Sequence, residues 1–182
     1  GSEPGGVRSA ARDGATSEAA MDLTELSEEV GTSGPITIAG LATRGGPVDG
    51  VRAVMAPSGI DWVKTEEMTV QCGAGTPVAE LDAALAAHGQ AVAIPPTGTV
   101  GGALAVGQSG LRRLGYGPLR DTLLQARYVD AAGRIVKAGG PTVKNVTGYD
   151  LSKAMAGSWG TLAVVTDVTF KVLPRVAEPG LR

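Results

Sequence analysis

The sequence predicts an α+β fold, and three observations predict it. Strand-like and helix-like segments are interleaved without the regular strand–helix alternation of a doubly wound sheet. No stretch repeats at a period of about 20 to 50 residues, which sets aside solenoids and propellers. The longest structured run, Leu162 to Leu173 (LAVVTDVTFKVL), alternates and is β-branched through its middle, so it reads as a long strand.

Taken in order, Gly1 to Ala20 are small and polar without an apolar period, and read as a flexible tail. Leu23, Leu26 and Val30 recur at helical spacing, which predicts a short helix over Asp22 to Val30. Pro35 to Ala39 (PITIA) is a β-branched run ending at Gly40, hence a strand that runs into the loop GLATRGGPVDG. Strands are predicted again at Arg52 to Met55, Asp61 to Lys64 and Met68 to Cys72.

Thr76-Pro77 opens a helix. Thr76 suits the cap, Pro77 the first helical position, and Glu80 the positive N-terminal end. Val78, Leu81 and Leu85 form its apolar stripe, and Gly89 stops it. Pro95-Pro96 breaks the chain before TGTVGGALAVGQSG. Leu123 to Val129 and Arg134 to Ala138 flank Ala132-Gly133 and predict a hairpin. Asp150 caps a short helix that reaches Met155, ahead of Gly157, and Pro174 closes the final strand.

Composition narrows the function. The 182 residues are 43% hydrophobic and 19% charged, an ordinary globular balance. A net charge of −2 offers no basic excess to neutralise a phosphate backbone, so a nucleic-acid partner is not expected. No run of about 18 apolar residues is present, so no membrane span is expected, and without a leader pattern a cytoplasmic location is. A single cysteine, Cys72, and a single histidine, His88, leave no disulfide and no metal cluster. His88 falls at a helix end, where an imidazole favours the dipole; Cys72, Trp62 and Trp159 are expected in packing. The 28 glycines stand out: many positions are given to backbone shapes and close approaches that a side chain would block.

Four glycine-bearing stretches could carry chemistry. Thr97-Gly98-Thr99-Val100-Gly101-Gly102 reads as a turn into a helix start, whose free N–H groups and positive dipole end suit a pyrophosphate or a carbonyl. Gly40 to Gly46 (GLATRGG) follows a strand and offers backbone amides beside Arg44. Ser109-Gly110-Leu111-Arg112-Arg113, with Tyr116-Gly117, could face an anion. Lys144 to Asp150 and Gly157 to Leu162 bring glycine turns to the start of a buried strand. Read alone, each suits an ordinary turn or surface loop at least as well.

Their order is more specific than any one of them. GTPVAELDAAL, TGTVGGALA, SGLRRLGYGPLRD and KNVTGYDLSKAMAGSWGTLAVVTDVTFKVLP follow the strand and its glycine loop. From about Ile36 to Pro174 this succession resembles the FAD-binding domain of the vanillyl-alcohol oxidase and p-cresol methylhydroxylase (PCMH) class, nearest to glycolate oxidase FAD-binding subunits. The resemblance implies a PCMH-type domain of two subdomains with FAD, held non-covalently, between them: a reduced first subdomain at 21–74, a second at 75–176, and a short tail at 177–182. The C-terminal cap domain of such oxidases is expected to be absent.

By the same resemblance the pyrophosphate loop is Ala42, Thr43, Arg44, Gly45 and Gly46, with Arg44 where the family favours lysine. Thr97, Gly98, Thr99, Val100, Gly101, Gly102 and Leu104 would line pyrophosphate and isoalloxazine. Ser109, Gly110, Tyr116 and Gly117 would follow along the cofactor. Gly157, Gly160, Leu162 and Val164, in a match to the family's GSxGTLGVxT, would contribute backbone contacts, with Lys144, Asn145 and Tyr149 nearby. The activity implied is oxidation of a small 2-hydroxy acid such as glycolate or lactate, within a multi-subunit oxidase whose partner subunits supply the rest. No residue presents itself as a catalytic base. A non-catalytic scaffold subunit that keeps the fold with weak or no FAD binding is the alternative.

Overall fold

The computed structural model of the chain describes residues 23–31, 33–111, 113–140 and 150–175. In chain order the elements are α1 (Thr24–Gly31), β1 (Ile36–Ala39), β2 (Arg52–Met55), β3 (Ile60–Lys64), β4 (Thr69–Gly73), α2 (Val78–Ala86), β5 (Gln90–Ala91), α3 (Val100–Val106), α4 (Arg113–Tyr116), α5 (Leu119–Thr122), β6 (Leu123–Val129), β7 (Ile135–Gly139), α6 (Leu151–Ala154), β8 (Val164–Lys171) and β9 (Leu173–Pro174). Helices and strands mix without βαβ alternation, as the α+β expectation requires.

A five-stranded antiparallel sheet, ordered β3-β4-β8-β6-β7, forms the body of the domain. The two-residue period of its strands separates two faces. Val70 and Cys72 of β4, Val168 and Phe170 of β8, and Ala126 and Tyr128 of β6 point to the same side. There they meet Val78, Leu81 and Leu85 of α2 and Val100, Ala103 and Leu104 of α3 in one core. Burying each of the larger side chains contributes about 1.5–3 kcal/mol. The other face carries Gln71, Thr169, Gln125, Asp167 and Arg127.

β1 and β2 form a separate two-stranded parallel sheet, joined by the loop 40–51 instead of a crossover helix. Val30 of α1 and Val54 of β2 pack on Val129 and Val164, where β6 ends and β8 begins, with Leu26 and Ile36 alongside. This small second core holds the parallel pair against the main sheet.

Most elements fall where the sequence puts them, and the departures have physical reasons. Thr76 does not cap α2. The N-cap is Pro77, without a side-chain bond, while the buried Thr76 hydroxyl accepts from the Gly59 N–H at 2.9 Å and donates to the Gly59 carbonyl at 3.0 Å. The strand predicted over Leu162 to Leu173 is β8, Val164–Lys171; Leu162 stays in the bend before it, and Leu173 pairs with Ala91 to make β5–β9. β3 and β4 hydrogen-bond into the same sheet as β8, so the sheet crosses the boundary expected after residue 74.

Candidate functional site

Glycine at several bends lets backbone segments approach one another, and here the bends open onto one groove of about 680 Å³. Its walls are the end of β1 with Gly40 to Gly46, Thr99, Gly101 and Gly102 at the start of α3, the β6–β7 turn at Asp130 and Ala131, and Ser158 to Val165 leading into β8.

The loop after β1 is held open by its own conformation. Ala42 takes φ +53° and Gly45 φ +107°, left-handed backbone that turns the chain sharply. Thr43 and Gly45 bridge within the loop, and nothing lies within 4 Å of where a Cβ on Gly45 or Gly46 would stand. Arg44 ties this loop to the next wall. Its Nε donates to Gln108 Oε1, and its Nη2 donates to the Thr97 carbonyl at 2.8 Å and approaches the Thr97 hydroxyl at 3.3 Å.

The start of α3 corrects the sequence reading. Thr99 is the N-cap and accepts from Gly102 N–H at 3.1 Å. Val100 N–H donates to the Thr76 carbonyl at 2.9 Å and Gly101 N–H to the Ala74 carbonyl at 2.7 Å. These first-turn donors are therefore spent on the protein itself, and the segment offers a ligand shape rather than free donors. The glycine serves that approach: a Cβ on Gly101 would stand 3.0 Å from the Ala74 oxygen.

Of the residues singled out in the sequence, Ala42, Thr43, Arg44, Gly45, Gly46, Thr99, Gly101, Gly102, Gly160, Leu162 and Val164 line this groove. Val100 and Leu104 do not: both are fully buried in the core, where a helical period places them. Thr97 and Gly98 lie behind Arg44. Gly157 sits beneath the groove wall, its N–H donating to the Leu104 carbonyl at 2.9 Å. Ser109, Gly110 and Tyr116 line a second cavity of about 540 Å³, floored by Ala91 to Pro96 and edged by Gln108. Gly117 lines neither. Lys144, Asn145 and Tyr149 lie outside the described residues.

Sequence reasoning missed several lining residues, among them Asp130 and Ala131, which precede the predicted Ala132-Gly133 turn. Trp159, expected in packing, is an exposed groove-lining residue; its place between Gly157 and Gly160 was the available signal.

Charges around the groove are largely committed. Asp130 accepts from the Arg134 side chain at 2.8 Å and from the Arg134 and Ala132 N–H groups, and Arg134 holds its carboxyl below the usual range. On the polar face of the sheet, Arg127 Nε meets the buried Asp167 carboxylate at 2.6 Å. Burial, and then the charge of Asp167, raise the neighbouring Asp61 carboxyl. Burial pushes the Cys72 thiol up to about 12, so it is inert packing as expected. Among the described residues, no three His, Cys, Asp or Glu side chains gather as metal ligands do, and no helix is long and apolar enough to cross a membrane.

An α+β domain whose glycine bends converge on one large groove is of the ligand-carrying class. Residues 35–139 match the family described as FAD binding domain, and the chain belongs to that family, whose cofactor is FAD. The chain is 36% identical to glycolate oxidase subunit GlcE of Escherichia coli over 162 residues, 84% of this chain and 46% of that protein. It is 40% identical to a D-lactate dehydrogenase of Archaeoglobus fulgidus over 121 residues, 64% of this chain and 27% of that protein. Glycolate oxidase subunit GlcD of Bacillus subtilis is 37% identical over 113 residues, 59% of this chain and 23% of that protein. The chain thus spans about half the length of the first and about a quarter of the other two.

Proposed function

We propose that this chain supplies the FAD-holding part of a flavin-dependent oxidoreductase that acts on a small 2-hydroxy acid such as glycolate or lactate. One observation carries the reading: bends far apart in sequence open onto a single groove, with open backbone at Gly45 and Gly46 beside Arg44 at one wall. About 680 Å³ is within the common range of roughly 300–1,000 Å³ for ligand sites. Open backbone at Gly45 and Gly46 fits a pyrophosphate, which needs N–H donors and room.

In this reading Ala42, Thr43, Arg44, Gly45 and Gly46 hold the pyrophosphate, and Thr99, Gly101, Gly102, Gly160, Leu162 and Val164 shape the groove around the rest. Ser109, Gly110 and Tyr116, across the Arg44–Gln108 contact, serve its continuation. The flavin supplies the hydride-accepting chemistry when bound; the protein's share is to orient it and keep it from water. The α1–β1–β2 unit with its loop forms the first part of the domain, and the five-stranded sheet, including β3 and β4, the second. Partner subunits complete the substrate site, in keeping with the two relatives named as oxidase subunits.

A second reading, a scaffold subunit with weak FAD binding, is favoured by a separate observation. The first-turn amides of α3 and the Arg44 guanidinium are already bonded within the protein. Desalting the purified chain after incubation with FAD separates the two. Retained visible flavin absorbance, with a thermal shift of roughly 5–10 °C at a hundredfold excess over Kd, supports the oxidoreductase reading. A colourless protein with an unchanged melting temperature supports the scaffold.

A further inference from the structure

Trp159 stands where folding gains little from it. The indole is 71% exposed in a chain of only 3% aromatic residues, so its apolar area is withheld from the core. Its φ is +57°, a left-handed conformation that a bulky side chain adopts at an energetic cost. Such strain persists only where the surroundings impose it, and it gathers at ligand sites.

The surroundings do impose it. Trp159 N–H donates to the Ala105 carbonyl at 2.8 Å, and Gly157 and Gly160 bracket the turn with φ of +82° and +71°. Gly160 closes on β1: a Cβ there would be 3.0 Å from Ile38 Cδ1. Trp159 thereby becomes part of the groove wall, together with Ile38, Leu41 and Leu162, which are themselves 38%, 56% and 55% exposed. The groove thus has a fixed apolar side that includes one large flat ring.

A flat indole on a rigid turn recognises a flat heteroaromatic ring by stacking. We propose that Trp159 is a cofactor-binding residue that stacks on a ring of bound FAD. The assignment rests on the proposed function above. FAD contains two such rings, adenine and isoalloxazine, and the chemistry of stacking is shared by both.

The test measures binding by calorimetry with FAD, FMN and ADP on wild type and on Trp159→Ala, Trp159→Leu and Trp159→Phe. Trp159→Ala and Trp159→Leu should bind FAD roughly tenfold more weakly, and Trp159→Phe should recover most of the loss. An effect shared by FAD and ADP assigns adenine; one shared by FAD and FMN assigns isoalloxazine. Trp159→Gly adds an independent readout, a melting temperature at or above wild type from relieved strain, alongside weakened FAD binding. If FAD binds wild type and all variants within twofold, or Trp159→Leu matches Trp159→Phe, the stacking role is overturned while the proposed function stands. If wild type binds no FAD, both fall.

Discussion

Arg44 Nη2 donates to the carbonyl of Thr97 at 2.8 Å, so the loop after β1 is fastened to the chain entering α3 by one side chain. Nε of the same guanidinium reaches Gln108, beyond the far end of α3. The residue that charge alone recommends as a pyrophosphate ligand is thus also the clasp that fixes two walls of the groove. Its planar fork is suited to this, since it serves several acceptors in fixed directions.

Arg44→Ala should therefore cost stability as well as affinity. Losing these exposed bonds is worth about 1 kcal/mol, or about 2–4 °C in melting temperature for a chain of this size. FAD affinity should fall by more than that loss predicts, because the loop amides lose their position. Arg44→Lys should not restore stability, since an ammonium cannot reach Thr97 and Gln108 together. Thermal melts and FAD titration of the two variants check this, and a fully restored lysine variant would refute the clasp.

Gly98 lies directly under that guanidinium. Its φ is +70°, and a Cβ would run into Arg44 Nη1 and the Thr43 hydroxyl. Gly98→Ala should destabilise by about 1–3 kcal/mol. The part of the clash that involves Arg44 should be relieved when Arg44 is shortened, while the contact with Thr43 stays, so the double variant Arg44→Ala, Gly98→Ala should be more stable than the sum of the single effects allows. Strict additivity in urea melts would show that the two residues do not meet.

Much of this arrangement is legible in the sequence. Arg52 to Met55 and the hairpin around Ala132-Gly133 are local patterns, in which period and turn chemistry suffice. The loop at Gly40 to Gly46 was legible as a turn after a strand. The destination of side chains and amides was not. Leu104 sits in a glycine-rich motif, yet its helical position sends it to the core. The donors of Val100 and Gly101 are consumed by Thr76 and Ala74, residues whose approach depends on the tertiary fold. Only the flanking Gly157 and Gly160 hint locally at the exposure of Trp159; the Ala105 carbonyl that helps fix its strained φ is brought there by the tertiary fold.

Leu104 provides a control for these assignments. It is fully buried in the same core as Val78, Leu81 and Phe170. Leu104→Ala should cost about 2–5 kcal/mol from lost burial and the cavity left behind. If its role is packing alone, the folded fraction should bind FAD with nearly wild-type Kd below the melting transition. A selective loss of affinity at unchanged melting temperature would return Leu104 to the groove.

The polar face of the sheet yields a pH prediction of defined sign. Asp61 lies where burial, and then the Asp167 charge, raise its carboxyl above 3.8, while the Gln71 side chain and Arg127 oppose the shift. A raised folded value means that the unfolded chain gives up this proton first. The group's contribution is therefore favourable below 3.8 and is lost as pH rises through the raised value. At neutral pH the Asp61 charge is carried at a cost beside Asp167, which is itself bonded to Arg127 at 2.6 Å. Asp61→Asn removes that charge and keeps a side chain able to bond Gln71. It should melt above wild type at pH 7, with the gap closing as pH falls toward about 3. Paired melts across that range decide the matter: a variant less stable than wild type at pH 7, or a gap that widens in acid, would mean that the carboxylate stabilises the folded sheet.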